Sequence, residues 1–287
     1  MKLTIKDQNT GGELLLYKGE QGFDRQYYTR DQFNKYFTIA WNPGDSQKVI
    51  IDGTEHEFPE NALLTLLFNQ SFSFEDSSAI IAWQFNREFY CIIDHDNEVS
   101  CVGFLFSSTD HLFVQLGEPA QQKLQLLSDV FIEELKTSDQ VQNELLLALL
   151  KRLIVYVTRL AKSAYVPAAP KNQEDRFHLV RKFNLLVEAH FKTEHSVGFY
   201  AQQLFKSPKT LSNLFAIYKQ KTPSQIIQER VTLEARRLLL YTDKSVKHIC
   251  FELGFEDVPY FSNFFKKQTG ISPSDFRNSP SIAQEGK

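Results

Sequence analysis

From Glu13 to Leu116 the apolar residues fall in short runs: ELLLY, YFTIAW, KVIID, ALLTLLF, AIIAWQF, FYCII, CVGFLF and HLFVQL. Turn formers separate them, among them Asn42-Pro43-Gly44-Asp45, Asp52-Gly53 and Asp94-His95-Asp96-Asn97. Asp52-Gly53 predicts a two-residue hairpin, because that turn needs positive φ and glycine supplies it without steric cost. Many short strands with no helix between them predict a sandwich or small barrel, rich in aromatic rings.

After Pro119 the period changes from two to between three and four. QQKLQLLSDVFIEELKT places Leu124, Leu127, Phe131 and Leu135 on one helical face. VQNELLLALLKRLIVYVTRLAK carries Leu146, Leu149, Leu153, Val157 and Leu160, with Leu145, Leu150 and Ile154 widening the stripe. A stripe that broad is either enclosed within its own domain or packed on a second copy of itself. Pairing is the first expectation, assigned to Leu146, Leu149, Leu150, Leu153, Val157 and Leu160. Residues 164–175, with two prolines and small then polar residues, read as a linker.

The remainder, 176–287, is helical throughout. RFHLVRKFNLLVEAHFK is a scaffold helix, and Ser196, Ser207, Thr222, Ser245 and Asp257 are cap residues ahead of later ones. Proline follows Ser207, Thr222 and Ser272, where a missing N–H costs nothing. Gly254 and Gly270 stand at helix ends. The long helix SQIIQERVTLEARRLLLYT, with Ile226, Ile227, Val231, Ala235 and Leu238, needs cover on both sides and serves as a connector. On either side of it the chain repeats one device, a short helix, a turn and a capped second helix, with Ser212 and Ser262 in matching places. Two helix-turn-helix units on one chain point to a reader of DNA.

Composition refines this. The chain has 287 residues, 42% hydrophobic and 23% charged, which suits two globular domains. The net charge of −3 hides a division. Residues 1–170 hold 14 Lys+Arg against 23 Asp+Glu, or −9, and residues 171–287 hold 18 against 12, or +6. The basic half carries the repeated device, as expected of a domain that meets phosphates. No apolar run is long enough for a membrane helix, and MKLTIKDQNTGG lacks the apolar core of a secretory signal, so a cytoplasmic location is expected. Cys91, Cys101 and Cys250 form no CxxC or disulfide pattern and read as buried thiols.

The segment SVKHICFELGFEDVPYFSNFFKKQTGISPSDFR resembles the second helix-turn-helix of the AraC/XylS family of bacterial transcription regulators. Gly254-Phe255, Tyr260-Phe261-Ser262, Phe265-Lys266-Lys267 and Gly270-Ile271-Ser272-Pro273 carry the likeness. With the first unit and Arg237-Leu238-Leu239 it covers about a hundred residues. The resemblance implies an α+β chain in which a cupin-like β-barrel (1–118) precedes two dimerisation helices (119–163). The linker follows, then an all-α domain of two helix-turn-helix units joined by a connector helix (176–287). It implies double-stranded DNA, a second copy of the chain, a small-molecule effector and RNA polymerase as partners, with no membrane, no cofactor and no enzymatic activity. Metal-binding cupins carry His-x-His, which this chain lacks; His56, His95 and His111 read as isolated.

By match to the family, the base-reading residues are Lys209, Ser212 and Asn213 in the first unit, and Val258, Pro259, Ser262 and Asn263 in the second. Many members carry arginine where this chain has Asn213 and Asn263. Arginine forks onto guanine, whereas asparagine pairs with adenine N6 and N7, so the site leans toward A·T unless these residues only touch phosphate or solvent. Lys206, Ser207, Lys219, Lys221, Lys266, Lys267 and Arg277 lie beside these helices and read as phosphate clamps. In the barrel, Phe37, Trp41, Phe68, Trp83, Phe85, Tyr90 and Phe104 either line an effector pocket or fill a core. Two alternatives stay open: a barrel that pairs chains and binds nothing, and a cupin-type enzyme with a DNA-binding appendage.

Overall fold

The computed structural model describes residues 1–8, 10–27, 29–31, 33–90, 105–106, 111–139, 141–165, 173–217 and 221–278. Cys91, His95, Cys101, Phe104 and Lys219 lie outside them, as do the turn at 94–97, most of the runs FYCII and CVGFLF, and residues 166–172 of the linker. The chain divides into two compact units, Met1–Ala168 and Ala169–Lys287.

Among the described residues, the first unit holds two antiparallel sheets. The larger joins β1 (Lys2–Lys6), β2 (Glu13–Lys18), β9 (Ile81–Phe85), β4 (Phe37–Asn42), β7 (Ala62–Leu66) and β10 (Phe113–Gln115) in that order. The smaller joins β3 (Asp24–Arg25), β8 (Phe72–Phe74), β5 (Gln47–Ile51) and β6 (Thr54–Phe58). Asp52 and Gly53, at φ 49° and 71°, turn β5 into β6 with both central residues left-handed, and Asp52 Oδ1 accepts from Ser71 N at 3.0 Å.

Strand register settles which side each residue takes. Phe37 pairs with Phe85, Ile39 with Trp83 and Trp41 with Ile81, so these six share one face of the larger sheet. Ala40, Ala82, Leu64 and Leu66 take the opposite face. They meet Phe23, Val49, Ile51, Phe58, Phe72 and Phe74 of the smaller sheet's side in one core. Of the proposed effector rings, Phe37, Trp41, Trp83 and Phe85 thus share the face of the larger sheet turned away from the smaller one. Phe37 packs on Phe68, Phe85 and Phe106 (5.6, 5.8 and 5.2 Å between centroids), Phe85 lies 6.4 Å from Tyr90, and Trp83 meets Phe131 at 6.0 Å. Trp83 packs under the following helix, and Trp41 lines a pocket with Gln121, Gln125 and Leu126 of that helix.

That helix is α1 (Glu118–Lys136), which buries Leu124, Leu127 and Phe131 and packs on β1 and on α2 (Gln142–Tyr165). Here the pairing assignment is corrected. Leu146, Leu150, Leu153 and Val157 are fully buried within the unit, against α1 and β10, so this part of the stripe is already covered. Leu149 and Leu160 remain half-buried, and Leu145 is 48% exposed.

The second unit runs α3 (Gln173–His190), α4 (Val197–Gln203), α5 (Pro208–Ile217), α6 (Pro223–Tyr241), α7 (Val246–Glu252), α8 (Val258–Thr269) and α9 (Pro273–Asn278). Its helix starts follow local chemistry. Ser196, Ser207, Ser245 and Asp257 each accept a bond from the backbone N–H three residues on, and Thr222 with Gln225 closes a capping box. Gly270, at φ 86°, ends α8 by donating to Lys266 O.

Candidate nucleic-acid interface

The two reader units are built around phenylalanines. In the first, Phe215 of α5 meets Phe183 of α3 at 5.1 Å, Phe183 meets Tyr200 of α4 at 5.5 Å, and Leu211 and Leu214 are buried beside them. In the second, Phe255, Phe261, Phe265 and Phe276 form a chain of ring contacts at 5.1, 6.2 and 5.3 Å over buried Ile249, Cys250 and Leu253. Phe264 is half-buried against Phe255.

A helix anchored on three buried positions per two turns has an opposite face fixed by the 3.6-residue period. On α5 that face presents Lys209, Ser212, Asn213 and Ala216, all exposed. Ser212 Oγ donates to Pro208 O at 3.0 Å, leaving its oxygen free to accept. On α8 the face presents Pro259, Asn263, Lys266 and Lys267, with Ser262 and Val258 half-buried at its edges. Tyr260, unassigned from sequence, is 64% exposed beside them. The expected base-reading residues are therefore gathered on one open face of each helix.

The clamp residues divide. Lys206, Lys266 and Lys267 are exposed, and Ser207 is held as the cap of α5 by Thr210 N at 3.1 Å. Lys221 is paired with Glu229 at 2.8 Å. Arg277 does different work: its Nε donates to Leu239 O at 3.2 Å and its Nη2 to Lys244 O at 2.6 Å, capping the end of α6 and the turn after it.

The connector α6 buries Ile226, Ile227, Val231, Ala235 and Leu238, and also Arg230, Glu234 and Arg237. Arg230 Nε donates to both Glu188 oxygens and its Nη1 to Glu234, each at 3.0 Å, while its guanidinium lies 3.7 Å from the Phe191 ring centre. Burial alone would raise the Glu234 carboxyl, but Arg230 and Arg237 beside it hold it below the ordinary 4.5. Sequence periodicity gives no sign of this network, because a charged residue in an amphipathic helix is assigned by default to the solvent side.

A second tie joins the units of this domain. Gly254, at φ 74°, lies so close to the Lys192 carbonyl that any Cβ would strike it. His195 lies tilted against Phe255 with 4.7 Å between ring centres, and Lys192 reaches Glu252 at 3.5 Å. The loop leading into the first reader thus sits on the turn of the second.

Comparison with known proteins agrees with this geometry. Residues 200–279 match the model of a helix-turn-helix domain. The HTH-type transcriptional regulator ArgR of Pseudomonas aeruginosa is 32% identical over 94 residues, 33% of this chain and 29% of its own. The HTH-type transcriptional activator RhaS of Escherichia fergusonii is 33% identical over 91 residues, 32% of this chain and 33% of its own. The chain thus matches about a third of the length of these curated relatives. A structure of ToxT from Vibrio cholerae is 15% identical over 97% of both chains, at a TM-score of 0.42. No helix among the described residues is long and apolar enough to cross a membrane. In the C-terminal unit, the doubled helix-turn-helix on its buried connector is an AraC-family DNA-binding domain.

Proposed function

We propose that the chain is a sequence-specific, DNA-binding transcription regulator that pairs with a second copy and senses a small molecule in its N-terminal unit. The observation that carries this reading is the pair of open faces on α5 and α8, each with Ser and Asn at matching positions, on one domain with a shared core. In this reading α5 and α8 enter successive major grooves on one side of the duplex, about 34 Å apart. Asn213 and Asn263 read adenine; Lys206, Lys266 and Lys267 set register on phosphates. A cupin-like form of the two-sheet unit, and RNA polymerase as the partner of an activator, belong to the same reading. No catalytic role is assigned, since the relatives are named as regulators.

The test is selection of bound sequences from a random duplex library by the full chain. Two conserved blocks one helical turn apart, with an A·T pair lost from one block in Asn213→Ala and from the other in Asn263→Ala, are expected. Enrichment of no sequence at all would sink the reading.

A further inference from the structure

The N-terminal unit contains a cavity of about 350 Å³ that DNA reading does not use. It lies between the inner face of the larger sheet, through Leu15, Tyr17 and Gln84, and β3 with its neighbour Phe23. Arg25 forms part of its wall. Its side chain is 2% exposed, with Nη1 donating to Leu67 O at 2.7 Å, Nη2 to Thr38 Oγ1 at 2.6 Å, and the Phe72 ring 5.0 Å away. A guanidinium carries five N–H donors, and these two bonds engage two of them.

A buried cation is ordinarily matched by a buried carboxylate. Among the described residues none lies within ion-pair distance of Arg25. The three acids that share the cavity wall are engaged elsewhere: Arg30 holds Asp24 at 2.6 Å and Asp31 at 2.9 Å, and the Met1 amino group holds Glu20 at 2.7 Å. Burial draws the Arg25 guanidinium down to about 10, with Asp31 and Asp52 offsetting only part of that through space. It stays charged at neutral pH while lacking a matched anion.

We propose that the cavity takes a small carboxylate, its anionic end forked onto Arg25 and the rest of the molecule between Gln84 and Tyr36 on the polar side and Phe23 and Tyr17 on the apolar one. The inference rests on the reading that this unit senses a small molecule, and names the chemical class. A planar fork fits a carboxylate with two parallel bonds. A phosphate dianion asks for a second buried cation, and the other cations here, Lys2 and Arg30, are exposed at the rim. The volume lies at the small end of the ~300–1,000 Å³ range of ligand sites.

Both tryptophans, Trp41 and Trp83, lie in this unit, so their fluorescence follows its unfolding alone. The full chain is melted with benzoate, salicylate, lactate and gluconate, each beside its neutral amide, and with arabinose and glucose. One or more acids should raise the fluorescence melting temperature, at least tenfold lower concentrations sufficing than for the matching amide. Arg25→Met should abolish the response. Because that variant also loses two structural hydrogen bonds, Gln84→Glu supplies an independent arm. Gln84 Nε2 and Arg25 Nη2 both donate to Thr38 Oγ1, so a carboxylate at position 84 stands in for the ligand. It should raise the melting temperature of the unliganded chain and remove the response to acids. Amides acting as well as acids, a Gln84→Glu chain that melts below wild type, or a panel without effect overturns the proposal. A response to the sugars alone overturns the carboxylate class and leaves small-molecule sensing standing.

Discussion

Phe205 and Gly254 hold equivalent turns of the two readers, and both have positive φ, 54° and 74°. For glycine this is a free choice, whereas for a bulky L-residue the left-handed region costs about 1–2 kcal/mol. Phe205 gains no burial in return, being 92% exposed. Phe205→Gly is therefore expected to stabilise the C-terminal unit by up to about 1 kcal/mol, the added chain entropy of glycine offsetting the rest. Gly254→Ala meets both the strained φ and the Lys192 carbonyl, and is expected to cost about 3 kcal/mol or more. Far-UV circular dichroism melts check both, since the helices dominate the signal. A Phe205→Gly chain melting below wild type would show that the exposed ring stabilises the fold. Neither effect is legible in the sequence, where Phe205 reads as one more aromatic residue and only the backbone angle marks it.

At the scale of elements, legibility divides by range. Helix starts at Ser196, Ser207, Thr222, Ser245 and Asp257 were readable because a cap acts on the next three residues. The strands β1 and β6 were not, because KLTIK and TEHEF alternate polar and half-buried residues with little apolar content. The rings of β4 and β9 share one side of the larger sheet, but period two cannot say which side of a sheet faces a helix. The connector α6 hides its charges in the same way, and these make the domain acid-sensitive. The Glu234 and Glu252 carboxyls sit below 4.5 in the folded chain, burial being overcome by Arg230 and Arg237 for the first and by Lys244 and Lys192 for the second. Burial likewise depresses His195 below 6.5. In all three the folded pKa is lower than the unfolded one, so their contribution is complete above the unfolded value and is lost as pH falls through the folded value. Stability of the C-terminal unit should decline in two stages, beginning below about pH 6.5 and again below about 4.5. His195→Gln should remove the first stage and Glu234→Gln should flatten the second, as read by dichroism melts across pH. On the reader helices, Asn213→Ala should lose about 1–3 kcal/mol of discrimination at one base pair. Lys266→Ala should instead weaken all sequences alike and reduce the salt slope of binding by about one unit. Affinity for every duplex falling equally in Asn213→Ala would return that residue to a phosphate or solvent role.

For the whole molecule the question is which surface the proposed pair would use. The burial of Leu146, Leu150, Leu153 and Val157 removes the centre of the α2 stripe from any interface that leaves the unit intact. What stays open is a narrower seam one residue earlier, Leu145, Leu149, Tyr156 and Leu160, at intervals of four and seven. Pairing through that seam makes two classes of substitution separable. Leu145→Glu with Leu149→Glu places charge at the open edge of the stripe, on exposed Leu145 and half-buried Leu149, so the folded chain should persist and the pair should dissociate. Leu153→Ala opens a cavity inside the unit and should cost about 2–5 kcal/mol of its stability, leaving the mass of the assembly unchanged. Sedimentation velocity over a concentration series reads the mass, and tryptophan fluorescence melts read the unit's stability independently. The expected pattern is a wild-type dimer, a double-glutamate monomer with a wild-type melt, and a Leu153→Ala dimer with a lowered one. A double-glutamate variant that sediments with wild type places the contact elsewhere, and a wild type that is monomeric at every concentration removes pairing from the proposed function.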